Sequence, residues 1–89
     1  MTLEEVFAMP KGIMFEEYEK LINEKHKLEK QIRRASEIIF EEEDSLEVLE
    51  DEVGSDRYNK HLMRRQRAKS RREKAMLRYK EIENRLKAR

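Results

Sequence analysis

The stretch LEDEVGSDRY, residues 49–58, decides the fold, because it holds the turn signal between two long helix-forming stretches. Glycine commonly follows the last residue of a helix, and serine is a typical N-cap of the next one. Nothing breaks a helix from about residue 13 to 53, nor from 56 to 87. We therefore predict two long helices that meet at a tight turn near Gly54-Ser55, and an all-α antiparallel helical hairpin with coiled-coil character.

The apolar residues of the first long helix repeat with a heptad period. Ten of the twelve a and d positions are apolar, as in a coiled coil. These positions are Met14, Tyr18, Leu21, Lys25, Leu28, Ile32, Ala35, Ile39, Glu42, Leu46, Leu49 and Val53. The second helix has a weaker seam, formed by Tyr58, His61, Arg65, Ala68, Arg72, Ala75, Tyr79, Ile82 and Leu86. Its apolar residues thin out between Arg64 and Lys74, where only Ala68 remains, so other interactions must fill this part of the interface.

The net charge of +1 conceals two oppositely charged halves. Residues 1–54 contain 16 acidic and 7 basic residues, a balance of −9, and residues 55–89 contain 4 acidic and 14 basic residues, a balance of +10. Folding at Gly54 places residue 54 − k opposite residue 54 + k, so the acidic run 41–44 lies near Arg64, Arg65 and Arg67. Charge therefore favours the antiparallel pairing. In this register everything before Glu19 overhangs the hairpin.

The first twelve residues form a separate segment, and residues 13–89 form the hairpin. Thr2 and Glu5 have the spacing of a capping box and predict a short helix that ends at the break formed by Pro10 and Gly12. A two-helix hairpin buries one stripe on each helix and is marginal at this size, so we expect it to dimerise into a helical bundle or to dock on a protein. The predicted interaction residues are Leu3, Val6, Phe7, Met14, Phe15, Ile38 and Phe40.

The residues that carry catalysis are scarce. Cysteine is absent, which excludes thiolate chemistry, and His26 and His61 are too far apart to share a site. Ser70 has no histidine within helical reach. We expect no enzymatic activity, no metal, no cofactor and no small-molecule substrate. No apolar run is long enough to span a membrane, and the expected location is the cytoplasm.

A row of cations on the second helix is the strongest alternative signal. Spaced by three and four residues, it consists of Arg64, Arg67, Arg71, Lys74 and Arg78. Such a row could follow a phosphate backbone, which would make the chain a nucleic-acid-binding protein of the nucleus or nucleoid. The competing interpretation is that these cations neutralise the acidic helix. Because the rest of the chain is so acidic, we favour a small interaction protein that acts as a regulator, adaptor or assembly factor on a protein partner.

Overall fold

The computed structural model describes residues 1–10 and 12–87 and contains three helices there. The helices are α1 (Leu3–Phe7), α2 (Phe15–Val48) and α3 (Asp56–Lys87), and a 3₁₀ turn, Glu50–Glu52, lies between the last two. Helices α2 and α3 pack against each other in antiparallel orientation, and no strand occurs in the described ranges. The result is a rod of 57 × 20 × 15 Å. The predicted all-α helical hairpin is confirmed, although its last two residues lie outside the described part.

The turn uses more residues than predicted, because α2 ends at Val48 and not at Val53. Three acidic residues follow directly, and carboxylates at a helix C-terminus are unfavourable to the helix dipole. They lie in the 3₁₀ turn, which positions Gly54 at φ 90°, a conformation that glycine adopts without strain. Ser55 then caps α3, since its hydroxyl accepts a hydrogen bond from the Tyr58 amide at 3.2 Å. The predicted positions of the turn glycine and the capping serine are therefore correct.

The longer turn shifts the register between the two helices. Paired residues in the structure include Glu24 with Arg78, Glu17 with Arg85 and Glu42 with His61, whose positions total 102, 102 and 103. Folding about Gly54 would require a total of 108, which among the described residues only two long side-chain contacts have, Glu29 with Tyr79 and Glu43 with Arg65. The core residues Leu21 with Ile82 and Leu28 with Ala75 total 103, so the predicted register was wrong by about one and a half helical turns. The fold is symmetric about residue 51, the middle of the turn. As a consequence α3 runs past Glu19 and reaches Glu17.

The hairpin core follows both predicted seams. Every seam position of α3 is buried or half-buried, and Ile82 is only 1% exposed. The main cluster consists of Leu21, Leu28, Ala75 and Ile82, with Ile32, Tyr79 and Leu86 packed against it. Met14 and Val53 were predicted in the seam of α2 but are 73% and 70% exposed, because both lie outside α2. Leu49, the residue that follows α2, is still buried, so the packed seam runs from Tyr18 to Leu49.

The N-terminal segment folds back onto α2. The Thr2 hydroxyl accepts a hydrogen bond from the Glu5 amide at 3.2 Å, so the predicted cap is present. The Glu5 carboxylate contacts Nε2 of His26 at 3.1 Å, and the Glu5 carbonyl oxygen accepts a hydrogen bond from the buried Tyr18 hydroxyl. Burial, assisted by the charge of Glu5, raises the pKa of Tyr18. The prediction that all residues before Glu19 overhang was therefore wrong, because α1 lies against α2.

Candidate functional site

One row of arginines on α3 faces α2 at every second helical turn. Its members are seven residues apart, which keeps them on one face of the helix: Arg57, Arg64, Arg71, Arg78 and Arg85. In the observed register their counterparts on α2 are Ser45, Ile38, Gln31, Glu24 and Glu17. The row therefore faces carboxylates only towards the open end of the hairpin.

The two arginines at that end are neutralised by the carboxylates of α2. Nε and Nη2 of Arg78 donate to the two carboxylate oxygens of Glu24 at 2.7 and 3.1 Å, a bidentate pair, and Nη1 donates to Glu81 at 3.2 Å. These hydrogen bonds lower the pKa of the Glu24 carboxyl and raise that of the Arg78 guanidinium. Nη2 of Arg85 donates a single hydrogen bond to the Glu17 carboxylate. This end of the hairpin is thus closed by charge as well as by its apolar core.

The next two positions of the row break the pattern. Arg71 stands opposite Gln31 and Arg64 opposite Ile38, and neither arginine forms an ion pair with a described residue. The same holds, within residues 1–10 and 12–87, for Arg67 and Lys74 beside them. Four of the five cations in the predicted nucleic-acid-binding row are thus exposed and form no ion pair with a described residue, and only Arg78 is paired.

A groove runs between α2 and α3 where the arginine row forms no ion pairs with described residues. Its volume is about 680 Å³, and a smaller continuation of about 210 Å³ shares Ile38, Ala68 and Arg71 with it. The apolar lining consists of Leu28, Ala35, Ile38, Ala68 and Ala75, and the polar lining of Lys30, Gln31, Arg34, Arg64, Arg67, Arg71, Lys74 and Glu42. Alanines replace the larger side chains of the rest of the seam here, which leaves the space unfilled. We call this surface the basic groove.

The basic groove brings together residues that the sequence had assigned to two different sites. Ile38 came from the predicted protein-docking patch, whereas Arg64, Arg67, Arg71 and Lys74 came from the predicted nucleic-acid row. Three residues that sequence reasoning missed, Lys30, Gln31 and Arg34, line the same groove from α2. For Gln31 a signal was present, because Glu17, Glu24, Gln31 and Ile38 are spaced by seven residues. Only the observed register, however, places that series opposite the arginines.

The acidic run beyond the groove is only partly neutralised by α3. Glu42 contacts Nδ1 of His61 at 2.5 Å, and Glu43 lies 3.7 Å from Nε of Arg65. Arg65 was predicted to face Glu42 or its neighbours, and the neighbour Glu43 is the one it meets. Glu41 and Asp44 are exposed and have no ion pair within the described ranges. Acidic groups therefore remain on the outer surface of α2.

The other predicted docking residues lie elsewhere. Phe40 is 69% exposed but is about 200° around the helix from Ile38, so it does not line the groove. At the open end of the hairpin the predicted apolar residues are exposed without forming a core: Leu3, Val6, Phe7, Met14 and Phe15. The structure thus keeps three separate surfaces: the N-terminal residues, Phe40 and the basic groove.

Other kinds of site find little support among the described residues. No group of three or more histidines and carboxylates has an arrangement that could hold a metal ion there. None of the three helices, as far as they are described, is long and apolar enough to cross a membrane. Comparisons with protein-family models, with curated proteins and with solved structures find no match to this chain, so its function has to be argued from its own residues.

Proposed function

We propose that this chain is a non-enzymatic interaction protein whose basic groove binds an acidic amphipathic helix of a protein partner. The bound helix would be a third helix packed along α2 and α3. By providing such a surface the chain would act as a regulator, adaptor or assembly factor. The observation that carries the proposal is the groove itself, which has an apolar floor and a cationic rim, most of whose cations form no ion pair with a described residue.

The apolar floor favours a helix over a point ligand. Ile38 is half-buried, and the alanines beside it leave a trough along the hairpin axis into which apolar side chains of a third helix would fit. Burial of apolar area would supply most of the affinity. The proposal therefore needs a ligand with an apolar stripe as well as acidic flanks.

The cationic rim selects the charge of that ligand. Lys30 and Arg34 lie on one side of the groove and Arg71 and Lys74 on the other, so an entering helix meets positive charge on both flanks. Arg34 shares one exposed contact of 3.6 Å with Glu37, which screens it only weakly. Complementary charge chiefly increases the association rate and rejects basic ligands.

A labelled synthetic peptide tests this function. The peptide carries leucines at heptad a and d positions and glutamates on the flanks, and its binding is followed by fluorescence anisotropy. We expect the double variant Arg71→Glu, Lys74→Glu to bind at least about tenfold more weakly than the native chain, since two attractive contacts become repulsive. Arg33→Glu with Lys80→Glu is the matched control, because both cations are exposed and neither lines the groove. Equal losses in both variants, or no binding to the native chain, would contradict the proposal.

Nucleic-acid binding is a second candidate function, favoured by one specific observation. Arg64, Arg67, Arg71 and Lys74 are exposed along one face and are not used to neutralise the described acidic residues. This weakens the interpretation that they serve only as internal counterions. If the row binds a phosphate backbone, the chain is retained on heparin at low salt and its DNA affinity falls steeply as salt rises. The double variant Arg71→Glu, Lys74→Glu would then lose DNA binding, and the native chain would show no interaction with the acidic peptide.

A further inference from the structure

The outer surface of α2 carries charges that match the basic groove. Three exposed acidic residues are spaced by four and three positions, and we call them the acidic stripe: Glu37, Glu41 and Asp44. The exposed Val48 follows them on the same face. Only Glu37 of this stripe has an ion pair among the described residues, the exposed contact with Arg34. One helix thus contributes both to a basic groove, around Lys30 and Arg34, and to an acidic surface one to two turns further along.

We propose that the occupant of the groove is a second copy of this chain, with the two α2 helices antiparallel and a twofold axis near Glu37 and Ile38. This inference rests on the proposed function and names its partner. In that arrangement Arg34 lies beside Glu41 of the second copy, and Lys30 and Gln31 lie within one turn of its Asp44. Because a twofold axis relates the two chains, each contact is made twice.

The arginine row of α3 fits the same arrangement. The observed register between α2 and α3, combined with the twofold axis, places residue n of α3 beside residue n − 27 of the second copy. Arg64 then meets Glu37, Arg71 meets Asp44, and Ala68 meets Glu41 of that copy, one residue along from Arg67. The cations that lack a partner inside the hairpin thereby obtain one across the dimer, and Ile38 of each copy is covered at the centre.

Other arrangements of the two chains match less well. Parallel α2 helices in register would place the acidic stripe against itself and Arg34 against Arg34, which is unfavourable. Phe7 and Phe40 are also exposed, but no surface on the described part of the chain complements either of them in charge and position. A four-helix bundle centred on the basic groove accounts for the unpaired cations and the unpaired acids together.

A charge-swap complementation tests the inference, with sedimentation velocity of the full chain as the measurement. Variant one carries Arg34→Glu and Arg71→Glu in the groove, and variant two carries the partner changes Glu41→Arg and Asp44→Arg in the stripe. We expect the native chain to be a dimer and each variant alone to be monomeric, with a dimer dissociation constant raised at least about tenfold, because groove and stripe then repel each other. An equimolar mixture should form heterodimers, since the two new glutamates of variant one face the two new arginines of variant two while the native groove and the native stripe pair as before.

The controls separate this result from misfolding. Circular dichroism of each variant reports helix content, and Lys80→Glu with Lys87→Glu should leave the dimer intact, because both are exposed on α3 and neither lines the groove. Recovery in the mixture cannot come from two unfolded chains. A monomeric native chain, or variants that fail to associate when mixed although each is helical, would overturn the inference.

The outcome also distinguishes this inference from the function on which it rests. A monomeric native chain that binds the acidic peptide through Arg71 and Lys74 refutes the second copy but retains the groove as a docking site for another protein. A monomer that binds DNA and not the peptide points to the nucleic-acid function. Peptide competition that dissociates a native dimer would support both the groove and its occupant.

Discussion

The two stretches of the hairpin along the arginine row differ in one respect that decides their roles. Towards the open end, Arg78 and Arg85 face Glu24 and Glu17, and the row is neutralised. Nearer the turn, Arg71 and Arg64 face Gln31 and Ile38, and within the described residues they stay unpaired. The same arginine at the same heptad position thus forms an ion pair across the hairpin in one stretch and stays exposed without one, within the described residues, in the other. The identity of the residue on α2 makes the difference.

Packing changes along with charge. The closed stretch contains Leu21, Tyr79 and Ile82. The ring of Tyr79 lies 5.4 Å from the Lys25 ammonium, and its hydroxyl donates a hydrogen bond to Glu29 at 3.1 Å. Burial and that hydrogen bond raise the pKa of Tyr79 to about 12. The open stretch has Ala35 and Ala68 at the equivalent seam positions. We infer that the first stretch carries the stability of the hairpin and the second its binding surface.

Truncation of one isoleucine in each stretch should give the largest contrast. Ile82→Ala leaves a cavity at the most buried side chain and should lower the free energy of unfolding by about 2–5 kcal/mol, enough to unfold a marginal hairpin. Ile38→Ala removes a half-buried side chain and should cost less than about 1 kcal/mol, while abolishing occupation of the groove. Urea denaturation followed by circular dichroism measures both stabilities, and sedimentation velocity measures association. A larger loss of stability for Ile38→Ala than for Ile82→Ala would refute the division into two stretches.

Gln31→Glu should convert one open position of the row into a closed one. The new carboxylate faces Arg71 in the observed register and should stabilise the isolated hairpin by ~0.2–1 kcal/mol. The same change should weaken occupation of the groove by an acidic helix, because it removes a free cation and adds a negative charge to the lining. Gln66→Glu is the matched control, since Gln66 is exposed and lines no part of the groove. If Gln31→Glu raises both the free energy of unfolding and the affinity for the acidic helix, Arg71 does not contribute to docking.

Much of the fold was predictable from the sequence, but the site was predictable only in part. Gly54 and Ser55 located the turn, and heptad spacing identified the seam of each helix. The register was not predictable, because it depends on how many residues the turn uses, and that number depends on the acidic residues leaving α2 for a 3₁₀ turn. The basic groove was hidden for a related reason: Lys30 and Arg34 belong to the half with a balance of −9, and only the true register brings them beside Arg71.

The pH dependence of stability should distinguish the two stretches by a smaller effect. The hydrogen bond from Arg78 lowers the pKa of the Glu24 carboxyl below its usual 4.5, so the folded state binds this proton less readily than the unfolded state. The stabilisation from Glu24 is therefore complete above about pH 4.5 and is lost as the pH falls through the lowered pKa. Glu24→Gln should reduce stability at neutral pH, and its difference from the native chain should vanish in acid.

The same titration applied to the open stretch provides the sharpest form of the comparison. Gln31→Glu should acquire an acid-sensitive stabilisation of the same sign, because its carboxylate would then pair with Arg71 as Glu24 pairs with Arg78. Glu19→Gln is the control for the loss of a carboxylate, since Glu19 is exposed and has no ion pair within residues 1–10 and 12–87. Urea denaturation curves at neutral and at acid pH provide the measurement. If Gln31→Glu shows no such acid sensitivity, Arg71 does not occupy a position equivalent to Arg78, and the two stretches differ in geometry as well as in the residue on α2.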